Sequence, residues 1–448
     1  MKSPATARWK VKKVLGGLLL AQLLSLHSTI AGATAPSATA ADAAFPSLES
    51  FLQASHARAI QNREAQAQVA VEEAAKDAAK SDLLPALSAS AGYTRNQYEI
   101  AIQVPDGTGA TRPIVTTAQN QLDATLRAQA PLVDIPSFVN VRTATRRVQA
   151  ATYRAQATAR DTDRAVVDAY YDRISAYGVE QAALRALRAS RESQDVIRGK
   201  RAAELASDTD MARAEAEVER RVQALAEAGL ARTLAERRLR TLTGLEARGE
   251  AQLPELDVTP PPPLSALTGT VDTLPGVRAA TADEAASASK KSAAWLTLVP
   301  RLNAEATQRF TNVIGLARSP AWAAGVSAEW RLDPSSWGSA RREQANVALA
   351  SLSKQRAVEE AQAAIEDAHA EISARIARAR AANAQINAAR RAAETARARL
   401  TAGTATSLDV TVAERDVFDA EVAEAQARAE LARSRAHLTL ATRPGGEP

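Results

Sequence analysis

The chain has 448 residues, of which 46% are hydrophobic but only 4% aromatic, and it contains no cysteine. So few aromatics argue against a large globular core, and the missing cysteines exclude a disulfide framework, a thiol nucleophile, thiolate metal sites and an acylated N-terminal cysteine. The first 40 residues hold five of the 56 basic residues and no acidic one, leaving 51 of each sign, so the +5 net charge is no sign of nucleic-acid binding.

Lys2, Arg8, Lys10, Lys12 and Lys13 form a basic head, Val14 to Leu26 an apolar run, and Ala38-Thr39-Ala40 a small-residue cleavage site. This is the pattern of a secretory signal peptide over residues 1–40, and the apolar run falls short of the roughly 20 residues of a membrane-spanning helix.

A first structural repeat is expected over residues 41–250. Leu48 to about Leu83 reads as one helix. Next, Leu87, Ala89, Ala91 and Tyr93 alternate with Ser88, Ser90, Gly92 and Thr94, and Leu122, Ala124, Leu126, Ala128 and Ala130 alternate with Asp123, Thr125, Arg127 and Gln129. Period-2 alternation predicts a strand pair over about 86–130, joined by a loop from roughly Gln97 to Gln121 with Pro105-Asp106-Gly107 as its turn. A long helix follows over about 136–203. The polar turn Leu205-Ala206-Ser207-Asp208-Thr209-Asp210 then leads into a returning helix over about 208–244, with Met211, Val218, Leu225 and Leu239 at heptad spacing and Arg232 as the exception.

Residues 251–265 include Pro260-Pro261-Pro262-Pro263 and predict a stiff extended linker. A second repeat is expected over 266–443, ahead of a short disordered tail, 444–448. Its strand pair, about 301–332, sets Leu302, Ala304, Ala306 and Phe310 against Asn303, Glu305, Thr307 and Arg309, with Gln308 breaking the apolar row. Ala324, Val326, Ala328, Trp330 and Leu332 likewise alternate with Gly325, Ser327, Glu329 and Arg331, and the loop between the strands, about Thr311 to Ala321, is short. The long helix, about 335–402, carries Val358, Ile365, Ile372, Ala379, Ile386, Ala393 and Leu400 every seven residues, beside a second seam of Ala361, Ala368, Ala382, Ala389 and Ala396. Such a sustained heptad with small residues predicts a left-handed coiled coil. The turn Gly403-Thr404-Ala405-Thr406-Ser407-Leu408-Asp409 leads to a returning helix, about 407–442, with Val410, Val417, Leu431 and Leu438 in register and Glu424 as the exception. Ser207 with Asp210, and Thr406 with Asp409, have the spacing of capping boxes.

The two repeats align at a constant offset of 199 residues: Val133-Asp134 corresponds to Leu332-Asp333, and Asp210-Met211 to Asp409-Val410. Strands of about 9–11 residues suit a tilted bilayer crossing. Tyr93, Tyr98, Phe310, Trp322 and Trp330 fall near strand ends, where membrane-interface aromatics belong. Four strands cannot close a barrel, and open edges are not tolerated in hydrocarbon, so membrane strands require oligomerisation; three copies would supply twelve.

No catalytic or cofactor-binding constellation is present. His56, His369 and His437 lack metal-ligand spacing, and Gly107-Thr108-Gly109 is a turn without the phosphate-cradling glycine motif. The carboxylates at the helical turns, Asp208, Asp210, Asp409 and Asp416, are candidates for cation selection or a salt-bridged gate, while capping accounts equally well for Asp210 and Asp409.

This arrangement resembles the TolC-like outer-membrane channel family over nearly the whole chain. The resemblance is carried by Asp82-Leu83-Leu84-Pro85-Ala86-Leu87-Ser88-Ala89-Ser90-Ala91-Gly92-Tyr93, by Ala130-Pro131-Leu132-Val133-Asp134, by Asp168-Ala169-Tyr170-Tyr171-Asp172 and by Leu400-Thr401-Ala402-Gly403-Thr404-Ala405-Thr406-Ser407-Leu408-Asp409-Val410. It implies a mainly α chain with a small β part: duplicated coiled-coil hairpins plus four transmembrane strands. It further implies a homotrimer with a 12-stranded barrel in the outer membrane of a Gram-negative bacterium and an α-helical periplasmic tunnel. The helical tips, including Ser207, Gly403 and Thr406, would dock a periplasmic adaptor linked to an inner-membrane pump, for efflux or type I secretion. One departure is Glu204, which stands where the second turn has Gly403 and argues against the same tight turn there. The competing reading is a periplasmic coiled-coil adaptor or structural protein, which predicts one helical hairpin and a glycine-rich β domain.

Overall fold

Two helical hairpins of equal length dominate the structure, a computed structural model that describes residues 45–105, 107, 109–313, 319–330 and 333–443. The expected signal segment, the C-terminal tail, and Arg331 and Leu332 of the last expected strand lie outside the described residues. In chain order, α1 (Leu48–Arg58) and α2 (Ile60–Ser81) precede β1 (Ala86–Arg95), β2 (Ile100–Pro105), β3 (Thr111–Thr117) and β4 (Asn120–Val133). The first hairpin is α3 (Ile135–Ala202) and α4 (Asp208–Thr243). Then come α5 (Leu264–Thr268), α6 (Pro275–Leu296), β5 (Arg301–Thr311) and β6 (Ala321–Glu329), and the second hairpin is α7 (Pro334–Thr401) and α8 (Ser407–Thr442).

The helices α3 and α7 have 68 residues each, and α4 and α8 have 36 each. All four boundaries of the first hairpin map onto the second at the 199-residue offset. The long helices start alike: Asp134 accepts from the Ser137 amide at 3.2 Å and Asp333 from the Ser335 amide at 2.9 Å, with Pro136 and Pro334 in the first turns. A capping carboxylate satisfies an orphan amide, and proline there gives up only a bond that the first turn lacks anyway. At 1.5 Å per residue each long helix extends roughly 100 Å.

Five of the seven heptad positions of α7 are buried, namely Ile365, Ile372, Ala379, Ile386 and Ala393, while Val358 and Leu400 are half-buried. Ile372, Ile376, Ala379 and Ala382 pack against Ala427, Leu431 and Leu438 of α8. The polar exceptions on the returning helices are ion-paired: Arg232 reaches Glu180 of α3 at 3.2 Å, and Glu424 pairs with Arg428 one turn on. A second core, Phe51 of α1, Val166 and Ala169 of α3, and Leu239 of α4, anchors the N-terminal helix, with Phe45 and Tyr170 packed around it. Beside it, Arg173 is 0% exposed, ion-paired to Glu236 at 3.0 Å and bracketed by the Phe45 and Tyr177 rings.

Two expectations are corrected and a third is extended. The single helix expected from Leu48 to Leu83 is broken at Ala59, whose extended backbone (φ −57°, ψ 126°) separates α1 from α2. The proline-rich linker, expected as a stiff extended spacer, also lies as a strap on the helices: Leu256 and Val258 pack on the α7–α8 core. Its carbonyls accept from helix side chains, Asp257 from Arg435 at 3.0 Å and Val258 from Arg380 at 3.3 Å, and the His369 ring lies 3.0 Å from the Pro262 oxygen. Extended chain around prolines has carbonyls unused by local hydrogen bonding, and arginines on the helices take them up. Finally, the loop expected from Gln97 to Gln121 contains the β2–β3 hairpin, so the described residues form two strands beyond the four expected.

Strands β1, β4, β5 and β6 form one antiparallel sheet in the order β1-β4-β5-β6, and β2–β3 form a separate two-stranded sheet. Strand β4 runs past the expected end at Ala130 to Val133, with a register shift between Pro131 and Val133. Proline has no N–H for the ladder, so a shift beside it is where the pairing can absorb one.

Candidate functional site: the sheet faces and the hairpin tips

The register of the sheet brings the apolar rows together. Tyr93 lies opposite Leu122, Ala91 opposite Ala124, Ala89 opposite Leu126, and Leu87 opposite Ala128. The row continues through Ala124 opposite Phe310, Ala128 opposite Ala306, and Ala130 opposite Ala304, and then through Gln308 opposite Trp322 and Ala304 opposite Val326. Residues directly opposite each other in an antiparallel pair share a face, so one side of the sheet is Leu, Ala, Val and aromatic throughout. Gln308 is its one internal polar residue, and Arg95 and Asn120 stand opposite each other at its end. The other face carries Ser88, Ser90, Asp123, Thr125, Arg127, Asn303, Glu305, Arg309, Ser327 and their neighbours.

Both faces are open in the single chain. So are both edges, because among the described residues β1 pairs only with β4 and β6 only with β5. Edges of 10 and 9 residues leave rows of unpaired amides and carbonyls that another chain can take up.

The expected interface aromatics sit at both ends of this sheet. Tyr93, Phe310 and Trp322 are on the apolar face at the end nearest β2–β3, Trp322 being 77% exposed. The Tyr93 hydroxyl donates to Asn120 at 2.8 Å. Tyr98 lies beyond them at the root of the β2–β3 hairpin, where its hydroxyl accepts from Gln97 at 2.9 Å. Trp330 is at the opposite end, donating from its indole to the Leu298 carbonyl at 2.9 Å. Two further aromatics went unnoticed in the sequence: Phe138 and Trp337, 61% and 60% exposed, in the first turns of α3 and α7. The signal was there, since the two are related by the same 199-residue offset.

At the far ends of the long helices both turns are built alike. Glu204 has φ +58° and Gly403 φ +77°, so the expectation of a different first turn is overturned. Glutamate accepts the left-handed conformation because the turn is closed around it: the Glu204 and Leu205 amides donate to Arg201 and Lys200 carbonyls at 2.9 and 2.8 Å. Both capping boxes form. The Asp210 amide donates to the Ser207 hydroxyl at 3.1 Å and the Ser207 amide to the Asp210 carboxylate at 3.1 Å. Thr406 and Asp409 repeat this at 3.2 and 2.8 Å. The Ser207 hydroxyl, then its amide and the Ser407 hydroxyl, hold the Asp210 carboxyl below the usual carboxylate range, and the Thr406 amide and hydroxyl do the same for Asp409. Lowered values mean that this stabilisation is present at neutral pH and is lost as pH falls through the folded-state pKa.

The two tips touch. The Ser407 hydroxyl donates to Asp210 at 3.0 Å, and the Lys200 ammonium donates to the Leu400 carbonyl at 3.1 Å. Asp208 is exposed and pairs with Arg201 at 2.7 Å, and Asp416 lies exposed further along α8. Two turns above the tips, buried Glu217 of α4 meets Arg415 of α8 at 3.1 Å, and Arg221 lies over the Phe418 ring at 4.7 Å. Higher still, Arg185 of α3 and Arg390 of α7 converge on buried Glu421 of α8 at 2.9 and 3.0 Å.

The histidines are tertiary contacts. His56 lies 2.7 Å from Asp163, and His437 lies 3.0 Å from Asp168, burial pushing the His437 ring below its usual pKa despite that carboxylate. Among the described residues no group of three His, Asp or Glu converges as a metal site, and no helix is long and apolar enough to cross a membrane.

The family model described as "Outer membrane efflux protein" matches residues 52–245 and 273–442, both repeats. The fold is similar to that of the outer membrane protein VceC from Vibrio cholerae, with a TM-score of 0.74, 18% identity, and 89% of this chain and 97% of that one covered. It is also similar to the outer-membrane channel OprN (0.70, 23%, 89% and 90%) and to the open state of the MtrE outer membrane channel of Neisseria gonorrhoeae (0.71, 21%, 89% and 89%). No curated protein sequence matches the chain.

Proposed function

The chain belongs to the outer membrane efflux protein family, whose members are TolC-like passive channels, and from that membership we propose that three copies assemble into one exit duct across the outer membrane and periplasm. The observation that carries the reading is the sheet. Its apolar rows fall on one face, its polar rows on the other, and both edges are open. Three such sheets joined edge to edge make twelve strands with lipid outside and water inside, which removes every unpaired edge. Tyr93, Tyr98, Phe310 and Trp322 would mark the outer membrane interface. Trp330, with Phe138 and Trp337, would mark the periplasmic one.

The four long helices per copy would continue the barrel as a periplasmic tunnel. Its end is formed by the turns at Ser207, Asp208, Asp210, Gly403, Thr406 and Asp409, with Asp416 just above. These tips are the surface for a periplasmic adaptor and, through it, an inner-membrane pump, in tripartite efflux or type I secretion. The contacts Asp210–Ser407 and Lys200–Leu400 hold the tips together and would part on opening. The duct performs no catalysis; energy comes from the pump.

Chemical cross-linking of the protein purified in detergent from outer-membrane fractions tests this. A ladder ending at three chains is the expected result. A pure monomer, or recovery in the soluble periplasm, overturns it.

A further inference from the structure

Among the described residues, the polar face of the four-stranded sheet holds three arginines and three carboxylates, Arg127, Arg301 and Arg309 with Asp123, Glu305 and Glu329. They are not scattered. All but Glu329 stand on the two central strands, whereas the polar face of β1 offers Ala86, Ser88, Ser90, Gly92 and Thr94, and that of β6 offers Ala321, Ala323, Gly325 and Ser327 before Glu329.

On the central strands four of the five charges meet an opposite charge diagonally across the ladder. The Arg127 guanidinium lies 3.0 Å from the Glu305 carboxylate, and that of Arg309 lies 3.1 Å from Asp123. Arg301 stands opposite Glu329 in the register, with its guanidinium 3.6 Å from Asp134 at the foot of the sheet. These side chains are exposed in the single chain, Arg127 by 54% and Arg309 by 60%, so the pairs lie on the open surface and not in a core. Exposed pairs contribute little to stability. Their consequence is electrostatic: a close pair presents a dipole, whose field dies away faster than that of a single charge, and salt screens the remainder within about 8–10 Å.

We propose that this ladder makes the barrel lumen indifferent to the sign of a solute's charge, so that anionic, cationic and neutral solutes pass this segment alike. Pairing also holds the long arginine side chains against the wall, out of the path. The inference rests on the duct described above, because only there does the polar face line an aqueous lumen. Selection by charge then belongs to other parts of the duct, and the ladder sets the class of cargo by refusing none on that ground.

Single-channel recording in planar bilayers under a KCl gradient tests it. Glu305→Gln frees Arg127, and Asp123→Asn frees Arg309. Each is expected to shift the chloride-to-potassium permeability ratio several-fold upward from wild type, and the double variant further. Arg127→Gln is expected to shift the ratio the other way. Adding Arg127→Gln to Glu305→Gln restores neutrality and should return the ratio toward wild type, which a mere structural disturbance would not do. Channels that conduct normally while every variant keeps the wild-type ratio overturn the ladder's role and leave the duct standing. Absence of current both in wild type and in an Asp210→Ala, Lys200→Ala background, where the tip contacts are severed, overturns the duct itself.

Discussion

The helices α3 and α7 are copies of one another in length, capping and position within their repeats, yet they are buried differently. α3 packs against α2, α4, α6 and α8, and it buries polar residues such as Thr143, Thr162, Asp163 and Arg173 alongside its apolar ones. α7 packs mainly against α6 and α8, and what it buries is chiefly its heptad stripe. The sharper sequence pattern therefore belongs to the less enclosed helix. A helix covered on one side must confine its apolar residues to that side, which writes a clean seven-residue repeat. A helix covered on several sides spreads them round its circumference and blurs the repeat. Clarity of a heptad measures how one-sided the burial is, not how deep.

The largest test of that contrast is Ile372→Asp on α7. Ile372 is 1% exposed in the α7–α8 seam, and an unpaired carboxylate there is expected to cost about 4 kcal/mol and to collapse the thermal stability of the protein. Wild-type melting of this variant would break the assignment of the seam. A smaller effect is expected where α3 meets α8. A Cβ on Gly178 would lie 2.9 Å from the Ala425 Cβ and 3.1 Å from a Leu253 methyl, so Gly178→Val should destabilise by about 2 kcal/mol. The same change at Gly199, near the tip of the same helix and with open space around it, should cost far less, and equal losses in thermal melts would refute the close approach.

The smallest effect concerns the turns. Glu204 carries a side chain in a left-handed conformation that Gly403 adopts freely, at a strain of about 1 kcal/mol. Glu204→Gly is expected to raise stability by at most that amount, and Gly403→Ala to lower it by about the same. Melting temperatures of the two variants moving in the same direction would show that the turns are not equivalent.

Much of this was legible beforehand because it rests on local rules. The strand alternations around Ala89, Leu126, Ala306 and Val326, the boxes Ser207–Asp210 and Thr406–Asp409, and the stripe through Ile372 each depend on spacing alone. The strap was not legible, because proline runs say only that the chain is extended and nothing about the arginines at 380 and 435 that hold it. The β2–β3 hairpin was missed because Ile100, Ile102 and Ile114 flank a turn signal over too short a span to register as strands. The tip contact Ser407–Asp210 and the Arg185–Glu421 pair join residues 197 and 236 positions apart, where no periodicity operates.

By itself the sequence determined the duplication, the lengths of the helices and which residues of each strand share a face, since periods of 2 and 3.6 and the caps are properties of consecutive residues. The tertiary structure decided that the four apolar rows coincide on one side, that Arg127 finds Glu305 and Arg309 finds Asp123, and that Glu204 keeps a glycine's geometry. Those outcomes depend on register and closure, which are settled by what lies across the sheet or across the turn and not by neighbours along the chain.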